Sequence, residues 1–297
     1  MKKTNVLISG ATGWLGREIL NIFSEAKFKA VKLSLISSKN QEFVVCDNKF
    51  KARSFESYNN TDFIDNYFDF AFLSRNELEK IGPHKFKEIN LDIMSKSADL
   101  IKRYCPKTVV LSSSGAIYKN RKKSEFGMVY SDLKKIQEDI IRNACNLAES
   151  NLIISRIFNL SGRGIPDEGN FAISNLITKG IKNMDLTINS NYLVTRRYSD
   201  ITQLLKLLLE MADRGQNRVF DSGGSKIELR DLANKIVEVI KCDSKVVAPT
   251  LNPNFMKDDY FSKSYEYENL LRETLGENSI SIERQIENTK NWLVDKK

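Results

Sequence analysis

Short apolar runs alternate along the chain with longer segments in which apolar residues recur at helical spacing. Val6–Ile8 and Thr108–Leu111 are apolar runs of the length typical of buried strands. After the first run, apolar residues recur every three or four positions at Leu15, Ile19, Ile22 and Phe23, and this spacing predicts a helix. The alternation predicts an α/β fold in which a doubly wound parallel sheet carries helices on both faces.

The same patterns predict the elements that surround the candidate site. A helix over Lys85–Tyr104 ends before Pro106, and a further helix carries an apolar stripe from Leu133 to Leu147. The remaining predicted elements are a strand over Ala30–Ser38, two short strands and a turn over Glu42–Ser57, a short helix over Asp62–Tyr67, a strand over Phe68–Leu73 and a strand running into a turn over Leu152–Gly162.

Three glycines follow the first strand at the spacing Gly-x-x-Gly-x-x-Gly, at Gly10, Gly13 and Gly16. Glycines allow the backbone to approach a ligand closely, and the free N–H groups at the start of a helix favour anionic oxygens. An ordinary strand-to-helix turn would explain the glycines alone. Because strand, glycine turn and helix occur in this order, the segment predicts a cradle for a pyrophosphate.

Composition bounds the class of protein. The chain has 297 residues, of which 41% are apolar and 28% charged, as in a globular protein with one large domain or a large and a small one. The net charge of +8 indicates either a lysine-rich surface or attraction to anionic ligands. Basic residues do not cluster in one tail or helix, so nucleic acid is disfavoured as a partner.

Several classes of function and location are disfavoured by what the sequence lacks. The four cysteines have no metal-ligand or redox spacing, and His84 is the only histidine, so we expect no metal site. No apolar run is long enough to span a bilayer, so no membrane association is expected. The N-terminal residues enter the first strand without a signal-peptide pattern, so the expected location is the cytoplasm.

A chemical constellation lies at the end of the strand that begins at Thr108. This strand runs into Ser112, Ser113 and Ser114, and Tyr130 and Lys134 follow on one helix face. A free phenol titrates near pH ~10, and a neighbouring ammonium is expected to lower the pKa of Tyr130. Tyr130 can then exchange a proton with a carbonyl or alcohol oxygen to which Ser114 donates a hydrogen bond.

The Gly-Ala-Thr-Gly-Trp-Leu-Gly wording of residues 10–16, the serine run and the Tyr-x-x-x-Lys motif resemble the extended short-chain dehydrogenases/reductases. This family contains NAD(P)-dependent nucleotide-sugar epimerases, dehydratases and ketoreductases. The resemblance implies a Rossmann-type NAD(P)-binding domain over residues 1–158, which also receives segments near 192–222. It further implies a smaller, mainly substrate-binding region over 159–297, a nucleotide-sugar substrate and a homodimer.

The resemblance also implies roles for individual residues. The implied catalytic residues are Ser114, Tyr130 and Lys134. The implied substrate-binding residues are Ser114, Gly115, Asn159 and Arg197. Besides Tyr130 and Lys134, the residues expected to contact the cofactor are Gly10, Thr12, Gly13, Trp14, Leu15, Gly16, Arg17, Ser37, Ser38, Lys39, Ser74, Arg75, Asn90 and Ser112.

The expected cofactor is NADP, with NAD as the alternative. In dinucleotide folds an acidic residue after the second strand accepts hydrogen bonds from the adenosine ribose and selects NAD. Here Ser37, Ser38 and Lys39 occupy that position, and a lysine suits a ribose phosphate. Arg17 is expected to add a second positive charge. In the resembled family, small residues follow the strand that we place at Phe68–Leu73, whereas here Ser74 and Arg75 follow, and Arg75 is a candidate phosphate ligand.

Three interpretations of the activity stay open. Dehydratases of the family carry an acidic pair after the third signature position, whereas Gly115 and Ala116 stand there, so dehydration is disfavoured. The leading interpretation is NADP-dependent reduction of the keto-sugar of a nucleoside-diphosphate sugar. The rival is NAD-dependent epimerisation by the same residues. A third, from another class, is a non-catalytic dinucleotide sensor or RNA-binding protein.

Overall fold

The structure is a computed structural model that describes residues 4–25, 31–118, 125–166, 171–252, 254 and 257–295. The chain divides into two compact units. Unit 1 comprises Met1–Ile157 and Leu205–Phe220, and unit 2 comprises Phe158–Leu204 and Asp221–Lys297.

The strands and helices are numbered here in chain order. The first half contains β1 Thr4–Ser9, α1 Trp14–Phe23, β2 Val31–Ile36, β3 Gln41–Val45, β4 Asn48–Ala52, β5 Asn66–Asp69, α2 Arg75–Ile81, α3 Pro83–Tyr104, β6 Thr108–Ser114, α4 Glu125–Leu147 and β7 Asn151–Ile157. The second half contains β8 Asn159–Ser161, α5 Ala172–Ile181, β9 Leu186–Thr187, β10 Val194–Asp200, α6 Ile201–Asp213, β11 Arg218–Asp221, β12 Ser225–Glu228, α7 Leu229–Ile240, β13 Val246–Val247, β14 Asp258–Tyr260, α8 Glu266–Leu275 and α9 Ile282–Asp295.

The main sheet of the described residues has the order β11-β7-β6-β5-β1-β2. Its strands β7, β6, β5, β1 and β2 pair in parallel. The chain moves outward from β1 in one direction to β2 and in the other to β5, β6 and β7, so the strand order reverses beside β1. Because parallel crossovers are right-handed, this reversal places α1 on one face and α3 and α4 on the other. The predicted doubly wound α/β fold is confirmed.

Apolar strand positions form the core under α3 and α4. The buried residues of this cluster include Leu7, Ile36, Tyr67, Val109, Leu111, Ile154, Ala98, Ile101, Ile141 and Ala144. Each large apolar side chain removed from water contributes about 1.5–3 kcal/mol. Two prolines delimit α3, since Pro83 occupies its first turn and Pro106 follows the left-handed cap residue Cys105.

The chain before β6 departs from the sequence-based prediction at two elements. No helix forms over Asp62–Tyr67, and the strand predicted over Phe68–Leu73 is instead β5, Asn66–Asp69. Asp65 exchanges backbone and side-chain hydrogen bonds with Asn5, which draws the segment into the sheet beside β1. The two short strands predicted over Glu42–Ser57 are confirmed as the hairpin β3–β4, with Cys46 and Asp47 at positive φ in its turn.

Unit 2 contains a small sheet centred on β10. β12 pairs with β10 antiparallel, whereas β14 and β8 pair with it in parallel. Helices α5, α7 and α9 pack against one another. Gln285 of α9 donates hydrogen bonds to Tyr198 O and Ile280 O and accepts one from Ser161, so this helix is joined to two strands by buried polar contacts. No helix in the described part of either unit is long and apolar enough to cross a membrane.

Two glycines with nearly the same positive φ, Gly10 and Gly276, provide a test of the packing between β1 and β5. Gly10 has φ +66°, and a Cβ there would lie 2.7 Å from the carbonyl carbon and oxygen of Phe70. Gly276 has φ +69° and nothing within 4 Å of its Cβ position. We expect Gly276→Ala to cost about 1 kcal/mol for the left-handed conformation alone. Gly10→Ala should cost at least about 3 kcal/mol, because backbone must also move.

Urea denaturation of both variants measures these free energies of unfolding. The two positions have similar φ and differ in the room available for a Cβ atom. An equal loss in the two variants would therefore contradict the proposed steric contact.

Candidate functional site

The glycine bend between β1 and α1 is shaped by backbone contacts that exclude side chains. Gly13 N donates to Gly10 O at 2.9 Å, and a Cβ on Gly16 would lie 2.3 Å from that same oxygen. Gly13 is the N-cap of α1, whose first turn begins with Trp14 and Leu15 and contains no acidic residue and no side-chain cap. Because the N-cap residue is a glycine, it has no side chain to cap the first N–H groups of α1. The bend fits the pyrophosphate of a dinucleotide.

Arg17 lies one turn into α1 and is directed toward the β3–β4 hairpin. Its Nε donates to Thr12 O at 3.0 Å and its NH1 to Val44 O at 3.1 Å, and the guanidinium lies 5.3 Å from the centroid of the Phe43 ring. These contacts join the glycine bend to the hairpin. The predicted binding of a phosphate by Arg17 stays a prediction. A phosphate would compete with the carbonyl groups of Thr12 and Val44 for the guanidinium.

The turn after β2 presents the candidate residues for cofactor selection. Ser37 is buried, and its hydroxyl donates to Lys39 O at 2.6 Å and accepts from Gln41 Nε2. Ser38 and Lys39 are exposed. Of the three predicted residues, these two present their side chains to solvent beyond the carboxyl end of β2.

Arg53 also lies at this edge, although the sequence pattern did not predict it there. Ser37 N donates to Arg53 O and Arg53 N donates to Leu35 O, both at 2.9 Å, so Arg53 is fixed alongside the end of β2 with an exposed side chain. Arg53 directly follows β4, and the β3–β4 hairpin returns the chain to the end of β2. In the sequence, the feature that could have predicted this position is a basic residue directly after the second of the two short strands.

The segment after β5 passes over the glycine bend. Since β5 ends at Asp69, the residues that follow it are Phe70 and Ala71. The strand was predicted to end at Leu73, and for that reason Ser74 and Arg75 were compared with the small residues that follow this strand in the family. Ala71 N lies 2.9 Å from the position of a Gly10 Cβ, so Ala71 is the small residue at the bend. Ser74 caps α2 without a side-chain hydrogen bond, and Arg75 is exposed in its first turn.

Ser114 and Tyr130 are brought together by β6 and α4. All residues of β6 are buried through Ser114, and Gly115 begins the 3-10 turn Gly115–Tyr118. Ser131 Oγ donates to Ala116 O at 2.9 Å and so fixes this turn to α4. The Ser114 hydroxyl, which accepts from Ala116 N at 3.1 Å, lies close enough to the Tyr130 phenol to lower its pKa. A strand-end hydroxyl and a helix-borne phenol therefore share one site.

Lys134 lies beneath this pair, with only 4% of its surface exposed. Its Nζ donates to Ser112 O at 3.0 Å and to Gln137 Oε1 at 2.9 Å, and lies 3.8 Å from the centroid of the Phe72 ring. Burial lowers the pKa of Lys134 to about 7, against the opposing charges of Asp69 and Glu138. The ammonium can thus gain or lose its proton near neutral pH.

The pKa of Tyr130 differs from the expectation. Burial raises it above the usual phenol value, and the Ser114 hydrogen bond and the Arg75 charge oppose that rise. The predicted lowering by Lys134 is not found, since the Lys134 ammonium is engaged by the Ser112 carbonyl and the Gln137 amide. Arg75, expected to meet a phosphate, is the cation whose charge acts on the phenol.

Asn90 of α3 holds the segment that lies against Tyr130. The Asn90 side chain is fully buried, its Oδ1 accepts from Leu73 N at 2.9 Å, and its Nδ2 donates to Phe86 O at 2.9 Å. The neighbouring Phe72 ring contacts the Tyr130 ring edge-on, with centroids 5.6 Å apart. Asn90 thereby shapes the wall behind the phenol.

Two residues predicted to bind substrate belong to unit 2. Asn159 Nδ2 donates to Arg197 O and Tyr260 O, which joins β8, β10 and β14. The Arg197 guanidinium is 7% exposed and donates to Gly224 O, Ser262 O and Ser264 O, besides an ion pair with Glu268 at 3.0 Å. These contacts give both residues a structural role, and their substrate contacts stay a prediction.

Comparison with known proteins gives one family and many similar folds. A sequence model of the NAD dependent epimerase/dehydratase family matches residues 6–223. No curated protein matches the sequence.

Among solved structures, a UDP-N-acetylglucosamine 4-epimerase of Methanobrevibacter ruminantium M1, in complex with UDP-N-acetylmuramic acid, is 18% identical, with a TM-score of 0.79 and 100% of both chains covered. WbmF of Bordetella bronchiseptica, in complex with NAD+, is 19% identical, with a TM-score of 0.78 over 99% of this chain and 93% of its own. A UDP-glucose 4-epimerase of Thermotoga maritima, with UDP-glucose, is 16% identical, with a TM-score of 0.74 and 99% of both chains covered. At these identities the likeness shows the fold.

The contact between Asn90 and Leu73 predicts a stability effect. Asn90→Ala leaves the Leu73 N–H without its acceptor and opens space in a buried region, so it should lower the free energy of unfolding by about 2 kcal/mol. The control is Lys87→Ala, at an exposed position of the same helix, which should change it by less than about 0.5 kcal/mol. Chemical denaturation measures both, and a loss no larger than that of the control would contradict the assigned role of Asn90.

Proposed function

The chain belongs to the NAD-dependent epimerase/dehydratase family, and on that premise we propose that it interconverts two epimers of a sugar carried by a nucleoside diphosphate. The reaction passes through a transient keto-sugar. The observation that carries this proposal is the proximity of the Ser114 hydroxyl and the Tyr130 phenol at the carboxyl end of β6. Ligands of doubly wound sheets bind beyond that edge.

The residues present fit NAD(P). The glycine bend and the N-terminus of α1 would hold its pyrophosphate, and Tyr130 and Lys134 would hold the ribose next to the nicotinamide. When bound, the cofactor supplies the hydride acceptor and donor. The residues of the chain anchor the cofactor and transfer a proton to and from the substrate.

Tyr130 takes a proton from the sugar hydroxyl and later returns it, while Ser114 donates a hydrogen bond to the same oxygen. Because burial raises the phenol pKa, ionisation of Tyr130 depends on the groups that oppose the rise, which are the Ser114 hydroxyl and the Arg75 charge. The Ser114 hydroxyl and the Arg75 charge therefore supply the electrostatic support for the ionised phenol.

Two observations favour epimerisation over the family's other reactions. Dehydration requires an acid to protonate the leaving hydroxyl, and Gly115 and Ala116 provide none beside Ser114. The structurally similar enzymes of Methanobrevibacter and Thermotoga are named as 4-epimerases of UDP sugars. A UDP sugar is therefore the first substrate to test.

Reduction of a keto-sugar by NADPH is the second candidate, favoured by the charge at the end of β2. No acidic residue follows β2, and the exposed Lys39 and the backbone-anchored Arg53 lie at that edge. Both suit a ribose phosphate. The two reactions use the same catalytic residues and differ in the cofactor that turns over.

The first test is a turnover assay with UDP sugars. We expect conversion of one epimer to the other without net consumption of NADH or NADPH. Stoichiometric NADPH oxidation with a keto-sugar would instead support reduction. Tyr130→Phe should lower kcat by at least about 100-fold, because the proton carrier is lost. Tyr104→Phe, in which the lost hydroxyl accepts a hydrogen bond from Asn60 N, is the matched control.

Unchanged kcat in Tyr130→Phe would contradict catalysis by this residue. Binding of a dinucleotide without any turnover would support a sensor, and salt-sensitive affinity for RNA would support an RNA-binding protein. A homodimer and a cytoplasmic location remain expectations for the same protein.

The second test concerns the cofactor. If Lys39 and Arg53 bind a ribose phosphate, Lys39→Glu and Arg53→Glu should each weaken NADP(H) binding by about 10-fold or more and leave NAD(H) binding little changed. Lys49→Glu on the β3–β4 hairpin is the control, with the same change of charge at another exposed position. Isothermal titration with both dinucleotides measures the ratio. A ratio that moves no more than in the control would contradict the binding of a ribose phosphate by Lys39 and Arg53.

A further inference from the structure

A carboxylate lies in the core of unit 1 next to the proposed catalytic residues. Asp69, the last residue of β5, has none of its surface exposed. Its Oδ1 accepts hydrogen bonds from Ser9 Oγ at 2.6 Å and Ser97 Oγ at 3.2 Å, whereas its Oδ2 has no hydrogen-bond donor in the described part of the chain. A buried carboxylate with one unpaired oxygen is costly to stability. Packing alone does not explain its presence.

Asp69 is joined to the Lys134 site through one residue. Ser112 Oγ donates to Asp69 O at 3.3 Å, and Ser112 O accepts from Lys134 Nζ at 3.0 Å. Phe72, three positions after Asp69, lies with its ring 3.8 Å from the same Nζ. The end of β5 and its continuation therefore enclose the ammonium from one side.

Asp69 is also joined to the glycine bend. Ser9, which donates to its Oδ1, immediately precedes Gly10, and Ser9 Oγ accepts from Ala71 N at 3.3 Å. The carboxylate thus contacts the last residue of β1, which leads into the proposed cofactor cradle, while the backbone carbonyl of the same residue is linked through Ser112 to Lys134.

The charges around Lys134 oppose the effect of burial on its pKa. Burial lowers the pKa of Lys134, and Asp69 is the largest opposing influence, followed by Glu138. Burial raises the pKa of Asp69, and its hydrogen bonds and the Lys134 charge oppose that rise. The titratable groups that act on this pair are Tyr67 from β5 and Glu138 and Cys145 from α4. Beyond them, Arg156 from β7 and Arg142 from α4 act on Glu138, and Arg75 from α2 acts on Tyr130 of α4.

Most of these groups do not supply a free negative charge to Lys134. Glu138 is engaged by Arg156 through two hydrogen bonds, at 3.0 and 2.8 Å, and so already has a cationic partner. Burial raises the pKa values of Tyr67 and Cys145, which keeps both neutral near pH 7. Asp69 is the carboxylate in this set without a direct cationic contact.

We propose that Asp69 is a positioning residue for the Tyr130 and Lys134 pair, in which its buried carboxylate keeps the Lys134 ammonium charged and holds the glycine bend beside it. The chemical consequence rests on the proposed function, whereas the electrostatic link between Asp69 and Lys134 does not. Asp69 touches neither substrate nor cofactor in this proposal. It acts through Lys134 and Ser9.

The test is Asp69→Asn, which retains an acceptor for Ser9 and Ser97 and removes the charge. Because the Asp69 charge raises the pKa of Lys134, its loss should lower that pKa, and Lys134 should lose its proton at lower pH. We expect a downward shift of about one pH unit, which reduces the charged fraction at pH 7 from half to about a tenth. The alkaline limb of the kcat profile should move by the same amount.

The pKa of Lys134 is measured directly by NMR titration of protein labelled at the lysine Cε, with the Lys134 signal assigned by its loss in Lys134→Met. Tyr67→Phe is the matched control, since it removes a hydroxyl that donates to Ser97 Oγ at 3.1 Å and leaves every charge in place. If Asp69→Asn does not fold, Asp69→Ser provides a second neutral variant with a hydroxyl for the same partners.

An Asp69 variant with the Lys134 pKa of the original protein would overturn the proposal, as would an equal shift in Tyr67→Phe. A shifted NMR titration in a protein without epimerase or reductase activity would leave the Asp69–Lys134 link standing and contradict the proposed function instead. A shifted titration together with a shifted kcat profile supports both.

Discussion

Close backbone contact at the glycine bend is the constraint on which the rest of the site depends. The α-carbon of Gly10 packs on the peptide group after Phe70, and that of Gly16 packs on Gly10 and Ala11, with no room for a Cβ at either position. β1, α1 and the end of β5 can meet at one edge of the sheet only because these side chains are absent. The position of Phe72 and Leu73 beside Tyr130 then follows from the path of the chain after Phe70.

The same edge of the sheet buries more polar groups than folding alone requires. Lys134, Asn90, Asp69 and the serines of β6 are all buried there. Backbone carbonyls, amides and neighbouring hydroxyls satisfy most of their hydrogen-bonding atoms, which limits the penalty of burial. Ser112 lies between the Asp69 backbone and the Lys134 ammonium, and the Asp69 charge opposes the lowering of the Lys134 pKa without a direct ion pair. Such an arrangement lowers stability and gives a lysine that titrates near neutral pH, as expected at a site of proton transfer.

Unit 2 uses its polar residues differently. Arg197 donates to three carbonyl groups and pairs with Glu268, while Asn159 joins three strands. A guanidinium with this many internal acceptors stabilises the loop after β14, because each acceptor would otherwise lose a charged donor. The motif residues that the family resemblance placed at the substrate are thus first of all part of the architecture of this unit.

The sequence by itself determined the doubly wound fold, the glycine bend, the helix that carries Tyr130 and Lys134 on one face, and the family, because these features depend on spacing within a few residues. Only the tertiary structure decided where β5 begins and ends, that Arg53 lies beside β2, that Lys134 is directed to Ser112 and Gln137, and that the charges of Arg75 and Asp69 act on Tyr130 and Lys134. Each of these depends on hydrogen bonds or charges between residues far apart in the chain. Local periodicity carries no information about such pairings, so a helix predicted over Asp62–Tyr67 gave way to a strand that pairs with β1.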